Sequence, residues 1–232
     1  ERANRLEPDD LDALAAHVAT LNAMPEVLVL RLQAEGKYFC SGYEIGKIGD
    51  QIGGARDVSF DQMVDAIEDA RPVTIAVLQG GVYGGGTDMA LACDFRIGCD
   101  AVDMFMPAAR LGLHFYQRGM ERYVSRLGVN MAKRLFLTAE RIGAREMHEG
   151  GFLTHLVPAY ELTHTADKLT DTLSAMAPLA LLGMKKHLTR LARGTLDATD
   201  LQRDIARAAQ SDDLKEGAAA WAEKRTPQFK GR

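Results

Sequence analysis

Residues 73–94 read VTIAVLQGGVYGGGTDMALACD. Val73–Leu78 is an apolar run of strand length, which predicts a strand covered on both faces. Three glycines, Gly84 to Gly86, then stand directly before Thr87–Cys93, which is helix-like in composition. The first N–H groups of a helix lack intrahelical acceptors, and the helix dipole favours negative charge beside them. The glycines therefore predict either an anion site, such as one for a transient oxyanion on a carbonyl, or only a tight turn with close helix packing. Glycine content alone favours the turn.

The same order of strand, loop and helix occurs on the N-terminal side of this stretch. Val27–Leu32 predicts another buried strand. Ser59 and Gln62, three residues apart, predict a capping box at the start of a helix. In proteins with alternating strands and helices, functional sites are usually built at strand ends. The loops at residues 36–45 and 80–88 are therefore the candidate functional segments.

The pattern changes after Pro158. Before this residue, Phe95–Ile97 and Leu153–Val157 predict further strands, with short helices between them. After it, apolar residues recur at helical spacing. We predict an α/β protein with strand–helix repeats at residues 1–158 and a helical region at residues 159–232.

Composition excludes several classes of protein. Of the 232 residues, 47% are hydrophobic and 26% are charged, as in globular domains. The net charge of −4 disfavours a nucleic-acid partner, and the longest apolar stretches are too short to span a membrane. Cys40, Cys93 and Cys99 form neither a disulfide framework nor a zinc-ligand spacing. We therefore predict a cytoplasmic protein with no nucleic-acid partner and no membrane association.

Several common site motifs do not occur in the sequence. It has no phosphate loop, no Gly-x-Gly-x-x-Gly dinucleotide fingerprint and no Gly-x-Ser-x-Gly nucleophile elbow. The six histidines lack close ligand spacing, so no metal site is predicted.

Two segments resemble the signatures of a known family. Phe39–Ile45, FCSGYEI, and Gly84–Asp94, GGGTDMALACD, are similar to the signature segments of the enoyl-CoA hydratase/isomerase (crotonase) superfamily. The resemblance covers the chain from Ala3 to Arg232. Its further matching segments are Arg71–Val73, Met106–Gly112, Leu137–Ile142 and Ala220–Lys230.

The resemblance implies both a fold and a substrate class. The fold is a crotonase-like α/β spiral of ββα units with a C-terminal helical trimerisation region, and hence a homotrimer or a hexamer built as a dimer of trimers. The substrate is an acyl-CoA thioester, and no separate cofactor is expected because the substrate carries the coenzyme A. Family chains begin with a pair of strands before the segment represented here by Arg2–Leu6. We therefore expect that pair to be missing from residues 1–158 of this sequence.

The resemblance also implies site residues. Two backbone N–H groups hold the thioester oxygen in the family, and they correspond to those of Tyr43 and Gly85. Fixed backbone dipoles stabilise an enolate on that oxygen without reorganisation. Asp88 corresponds to a catalytic carboxylate and is the expected acid/base. The positions implied to contact coenzyme A are Arg2, Ala3, Ser41 and Lys230.

Two positions depart from the pattern of the family's hydratases, which use two glutamates. One position holds Asp88, and the other holds Ala108, which transfers no proton. A single carboxylate suffices to move a proton between carbons, so isomerisation is chemically easier to support than hydration. The alternative is a catalytically impaired acyl-CoA-binding homologue. Candidate substitutes for the missing glutamate are His114, Tyr116 and Glu121.

Overall fold

The computed structural model describes residues 3–44 and 58–232 of the chain. The strands are β1 (Val29–Gln33), β2 (Tyr38–Cys40), β3 (Val73–Leu78), β4 (Gly81–Tyr83), β5 (Phe95–Cys99), β6 (Asp103–Phe105), β7 (Ile142–Gly143) and β8 (His155–Val157). The α-helices are α1 (Pro8–Asn22), α2 (Phe60–Glu68), α3 (Gly85–Ala92), α4 (Gln117–Thr138), α5 (Ala144–Glu149), α6 (Leu162–Ser174), α7 (Pro178–Ala192), α8 (Ala198–Ala209) and α9 (Asp212–Glu223). Short 3₁₀ turns cover Ala108–Leu111 and Ala159–Glu161.

The strands form two four-stranded sheets, ordered β1-β3-β5-β8 and β2-β4-β6-β7. All pairs in the first sheet are parallel. In the second sheet β2, β4 and β6 are parallel, and β7 runs antiparallel to β6. Successive turns of the chain add one strand to the first sheet, the next strand to the second sheet, and then a helix. This arrangement is the spiral of ββα units that the resemblance implies, and the predicted fold class is confirmed.

Strand β3 lies at the centre of the core. It pairs with β1 on one side and β5 on the other, and every residue of Val73–Leu78 is buried. Helix α6 packs on β3 and β5, while α2 and α3 pack against each other. A strand with both faces covered gains most from an unbroken apolar sequence. This explains why the apolar run predicts β3 correctly.

The second sheet differs from the sequence-based expectation. Its strands contain only two or three residues each, which is too short for a two-residue period to be recognised. Gly81–Tyr83, predicted as part of the glycine loop, is strand β4. Helix α3 begins at Gly85, two residues before the predicted start. Gly128, with φ +77°, interrupts α4, which lies in the part of the sequence where short helices are predicted.

The C-terminal helices are tied to the sheets by a buried lysine. Lys185 on α7 has its Nζ 2.8 Å from Asp94 Oδ2 and also donates to Pro72 O. Within residues 3–44 and 58–232, no helix combines the length and apolar character needed to cross a bilayer. The division at residue 158 and the trimerisation of this region stay predictions.

Candidate active site

The two candidate loops meet backbone to backbone beside the start of α3. Gly42 follows β2 with φ +103°, and a Cβ built on it would lie 3.1 Å from Tyr83 O and 3.7 Å from Gly85 N. A Cβ on Gly86 would lie 2.7 Å from Cys40 Cβ. A Cβ on Gly86 would overlap Cys40, and one on Gly42 would fit only if the backbone of Tyr83 shifted by a few tenths of an ångström. Close approach of the backbones, rather than turn formation alone, therefore explains these glycines.

The backbone around Tyr43 is held by the N-terminal segment. Leu6 N donates to Gly42 O at 2.8 Å, and Glu44 N donates to Leu6 O at 3.0 Å. Leu6 and Tyr43 thereby form an isolated parallel bridge. The residue that carries the first predicted oxyanion donor thus lies on fixed backbone, next to the glycine that contacts Gly85.

Gly84 forms the turn into α3. Its φ of +51° and ψ of −124° are accessible to glycine and costly for other residues, and its N–H donates to Phe105 O at 3.0 Å. The helix therefore starts at Gly85, whose N–H is among the first four of a helix and has no intrahelical acceptor. It also lies at the positive end of the helix dipole. The turn places this helix end against the loop at Gly42.

Three aromatic side chains, Tyr43, Phe60 and Tyr116, form a wall beside the meeting point of the loops. The Tyr43 and Phe60 ring centroids are 5.9 Å apart, and those of Phe60 and Tyr116 are 6.4 Å apart in an edge-to-face arrangement. A Cβ on Gly85 would lie 2.7 Å from Phe60 Cζ. This aromatic wall therefore extends from the candidate oxyanion donors to Tyr116.

Asp88 lies in the first turn of α3 and is completely buried. Its Oδ1 is 2.8 Å from Arg122 Nη1, and its Oδ2 accepts a hydrogen bond from the Tyr116 hydroxyl. Burial raises the pKa of Asp88 above its ordinary value, against the opposing effects of Arg122 and Tyr116. A carboxylate with a raised pKa is a stronger base than an exposed one, so the environment suits proton transfer.

Arg122 also reaches a second buried carboxylate, that of Glu68 on α2. Arg122 Nη2 lies 2.8 Å from Asp65 Oδ1 and 3.1 Å from Glu68 Oε2. Glu68 pairs further with Arg126 and with Arg193 at the end of α7. Burial favours a raised pKa for Glu68, but the three arginines outweigh it and lower the pKa to about 2. We call these five residues the Glu68 cluster, which sequence reasoning did not predict.

The structure distinguishes the three candidates for the missing glutamate. Ala108 is buried in a 3₁₀ turn and brings no titratable group. His114 is exposed, and its Nδ1 lies 2.8 Å from the neighbouring carbonyl. Glu121 accepts a hydrogen bond at 2.7 Å from the glutamine one turn earlier. Of these candidates, Tyr116 is the one that the structure brings to Asp88.

The residues implied to contact coenzyme A are only partly brought together. Ala3 O accepts a hydrogen bond from Ser41 N at 3.1 Å, so these two residues lie beside the Tyr43 loop. Lys230 lies elsewhere, on the C-terminal segment, where its N–H donates to Asp213 Oδ1 at 2.6 Å. Arg2 lies outside the described residues.

One group of side chains has the composition of a metal site. His187, Asp200 and Asp204 bring their ligand atoms within 4.8 Å of one another. However, Lys186 Nζ lies 2.8 Å from Asp200 Oδ2 and also pairs with Asp204. Because Lys186 and Arg190 already pair with these two carboxylates, we interpret this group as an ion-pair cluster that joins α7 and α8.

The comparisons with known proteins agree with the geometry. The profile of the enoyl-CoA hydratase/isomerase family matches residues 1–232. A carnitinyl-CoA dehydratase of Proteus mirabilis is 29% identical over 207 residues, which are 84% of this chain and 78% of that protein. An enoyl-CoA isomerase/hydratase of Mycosarcoma maydis is 30% identical over 220 residues, or 90% and 78% of the two chains.

A solved structure extends the similarity to three dimensions. The enoyl-CoA hydratase from Bacillus anthracis has a TM-score of 0.89 and 28% identity, covering 100% of this chain and 92% of that one. The two-sheet spiral with paired glycine loops defines a crotonase-type α/β protein. The chain belongs to the enoyl-CoA hydratase/isomerase family, as the resemblance predicts.

Proposed function

We propose that this protein processes acyl-CoA thioesters and stabilises an enolate between the N–H groups of Tyr43 and Gly85. The observation that carries the proposal is the contact between their loops, in which a Cβ on Gly42 would come within 3.7 Å of Gly85 N. Donors on rigid backbone need no reorganisation as charge develops on the thioester oxygen. The similarity to a carnitinyl-CoA dehydratase and to an enoyl-CoA isomerase/hydratase supports a coenzyme A thioester as the substrate.

Asp88 is the acid/base of this proposal. Its position in the first turn of the helix that begins at Gly85, its burial and its raised pKa support this role. Ala108 supplies no second carboxylate, which favours moving a proton between carbons over adding water. Within the family's reactions we therefore favour isomerisation over hydration.

The family resemblance also supports proposals for the coenzyme A contacts and for the oligomeric state. We propose that Arg2, Ala3 and Ser41 contact the coenzyme A portion of the substrate, and that Lys230 reaches it from the C-terminal tail of a neighbouring subunit. We further propose a homotrimer or a dimer of trimers. Proton transfer next to a thioester needs only a base and an oxyanion donor, so the proposal includes no further cofactor.

Deuterium exchange tests the chemistry without knowledge of the acyl chain. The protein is incubated with a saturated acyl-CoA in deuterated water, and incorporation at the α-carbon is measured by mass spectrometry. We expect incorporation by the wild type and a loss of about 100-fold or more in Asp88→Asn, since a positioned acid/base contributes roughly this much. Undiminished exchange in Asp88→Asn would rule out Asp88 as the base.

The competing function is a catalytically impaired protein that binds acyl-CoA. It is favoured by Ala108, the residue at the position of the second glutamate. Binding of the same acyl-CoA, detected as a raised melting temperature, together with no exchange in the wild type would establish this alternative.

A further inference from the structure

We propose that Tyr116 is a catalytic residue that relays the α-proton of the substrate to Asp88. This inference rests on the proposed function, because it concerns the proton transfer that the enolate requires. It assigns a defined role to Tyr116 in a chain that holds Ala108 at the position of the family's second glutamate. Neither the motifs nor the comparisons assign a role to this tyrosine.

The first argument is that Asp88 is buried and that each of its carboxylate oxygens already has a partner. The carboxylate is completely buried, its Oδ1 is paired with Arg122 at 2.8 Å, and its Oδ2 accepts from the Tyr116 hydroxyl. Tyr116, in contrast, is only partly buried. The Tyr116 hydroxyl is therefore the group through which we propose that a proton leaving the substrate reaches the buried carboxylate.

The second argument is that Tyr116 lies on the wall that contacts the candidate oxyanion donors. Its ring meets the edge of Phe60 with centroids 6.4 Å apart. Phe60 lies so close to Gly85 that a Cβ there would be 2.7 Å from the ring. The phenol, the carboxylate and the helix start at Gly85 thus belong to one connected group of contacts.

The third argument is the contrast with a neighbouring tyrosine. Tyr123 is also close to α3 and completely buried, but its hydroxyl contacts the Thr87 hydroxyl instead of Asp88. Two tyrosines packed against the same helix are therefore used differently. The tyrosine whose hydroxyl contacts Asp88 is also the one that remains partly exposed.

The proposed step is balanced in protons and charge. The α C–H bond breaks, its proton forms a new O–H bond at Tyr116 Oη, and the original hydroxyl proton moves to Asp88 Oδ2. The electron pair of the C–H bond becomes the enolate, whose negative charge rests on the thioester oxygen. The reverse transfer delivers a proton to carbon. The phenol is neutral before and after the step, and Arg122 stays cationic beside Asp88 throughout.

The first experiment compares three variants in the deuterium-exchange reaction. We expect Tyr116→Phe, which keeps the ring, to lose exchange by about 100-fold, as does Asp88→Asn. The matched control is Tyr160→Phe, because Tyr160 is 84% exposed and lies in the 3₁₀ turn at residues 159–161, outside both candidate loops. We expect this control to keep wild-type exchange. Melting temperatures and acyl-CoA binding are measured on all three variants.

The outcomes separate the relay from the proposed function. No exchange by the wild type overturns the proposed function. Exchange that is lost in Asp88→Asn and retained in Tyr116→Phe overturns the relay and leaves Asp88 as the direct base. Loss in both variants, with binding retained and Tyr160→Phe active, supports the relay.

A second measurement uses only the wild type, so its result does not depend on whether the variants fold. Tritium release from an α-tritiated acyl-CoA is timed in ordinary and in deuterated water. A relay moves the exchangeable tyrosine proton in the same step, so we expect slower release in deuterated water. Direct abstraction by the carboxylate moves no exchangeable proton, so equal rates overturn the relay.

Discussion

Arg122 Nη1 lies 2.8 Å from Asp88 Oδ1, and both side chains are completely buried. A buried ion pair is costly to form, and it is also costly to break from one side, since the remaining charge is left without a partner. Arg122 belongs to the Glu68 cluster and pairs with both Asp88 and Glu68. The candidate base is therefore coupled directly to the ion pairs that hold α2, α3 and α4 together.

The first prediction concerns removal of this arginine. Arg122→Met leaves Asp88 and Glu68 without their shared cation, so we expect the free energy of unfolding to fall by about 4 kcal/mol. Urea denaturation measures the change. The matched control is Arg134→Met, which removes an exposed arginine paired with Glu146 at 2.9 Å and is expected to leave stability unchanged. Equal effects of the two substitutions would contradict the buried network.

The second prediction concerns acid stability. The pKa of Glu68 falls from 4.5 to about 2 in the folded protein, so the ionised group stabilises the fold above pH 4.5. This contribution is lost as the pH falls from 4.5 through 2, and it amounts to about 3 kcal/mol. Unfolding measured at a series of pH values should show the loss in the wild type. Glu68→Gln should be less stable near neutral pH and should lack this part of the acid dependence.

The third prediction concerns the pH dependence of exchange. Asp88 must be ionised to accept a proton, and burial raises its pKa above the ordinary value of 3.8. The exchange rate should therefore rise with pH through this raised pKa and then level off. Initial rates of deuterium incorporation across the acid range measure the profile. An acid limb at or below pH 3.8 would contradict the predicted direction.

The fourth prediction separates backbone strain from loss of the site. Gly42 and Gly36 both have positive φ, of +103° and +86°. A Cβ on Gly42 would lie 3.1 Å from Tyr83 O, whereas a Cβ on Gly36 would meet nothing within 4 Å. Alanine at either position should cost about 1–2 kcal/mol of stability through strain.

Only Gly42→Ala should also lose exchange, because the added methyl group forces apart the two backbones that carry the candidate oxyanion donors. Thermal unfolding and deuterium incorporation on the two variants test this distinction. If Gly36→Ala loses exchange to the same extent, strain rather than separation of the loops would account for the result.

The strands of the first sheet are predictable, since Val73–Leu78 is a long apolar run with both faces covered. The second sheet is not predictable from pattern, because strands such as Gly81–Tyr83 are held by register with neighbours distant in sequence. The glycines beside this sheet have two possible explanations, turn formation and close approach of two backbones. The sequence alone does not distinguish these explanations, whereas the position of Cys40 beside Gly86 shows close approach.

The candidate site was predictable only where a motif marks it. Tyr43, Gly85 and Asp88 lie in the two signature segments and were found through family resemblance. Glu68 and Arg122 lie on different helices and are 54 positions apart. In the sequence, each looks like an ordinary charged residue of a helix. Only the packing of α2 against α3 and α4 shows that the two side chains are buried partners. The contact of Tyr116 with Asp88 likewise depends on how the loop before α4 returns to α3.

Ion pairs cross the predicted boundary at residue 158. Arg193 pairs with Glu68, and Lys185 pairs with Asp94, so the helical region supplies cations to carboxylates of the spiral. Cutting the chain at this boundary would leave both acids in the core without these counter-charges. We therefore expect that the two parts on either side of residue 158 are not independently stable. Engineering of this protein should treat the spiral and its helices as one folding unit.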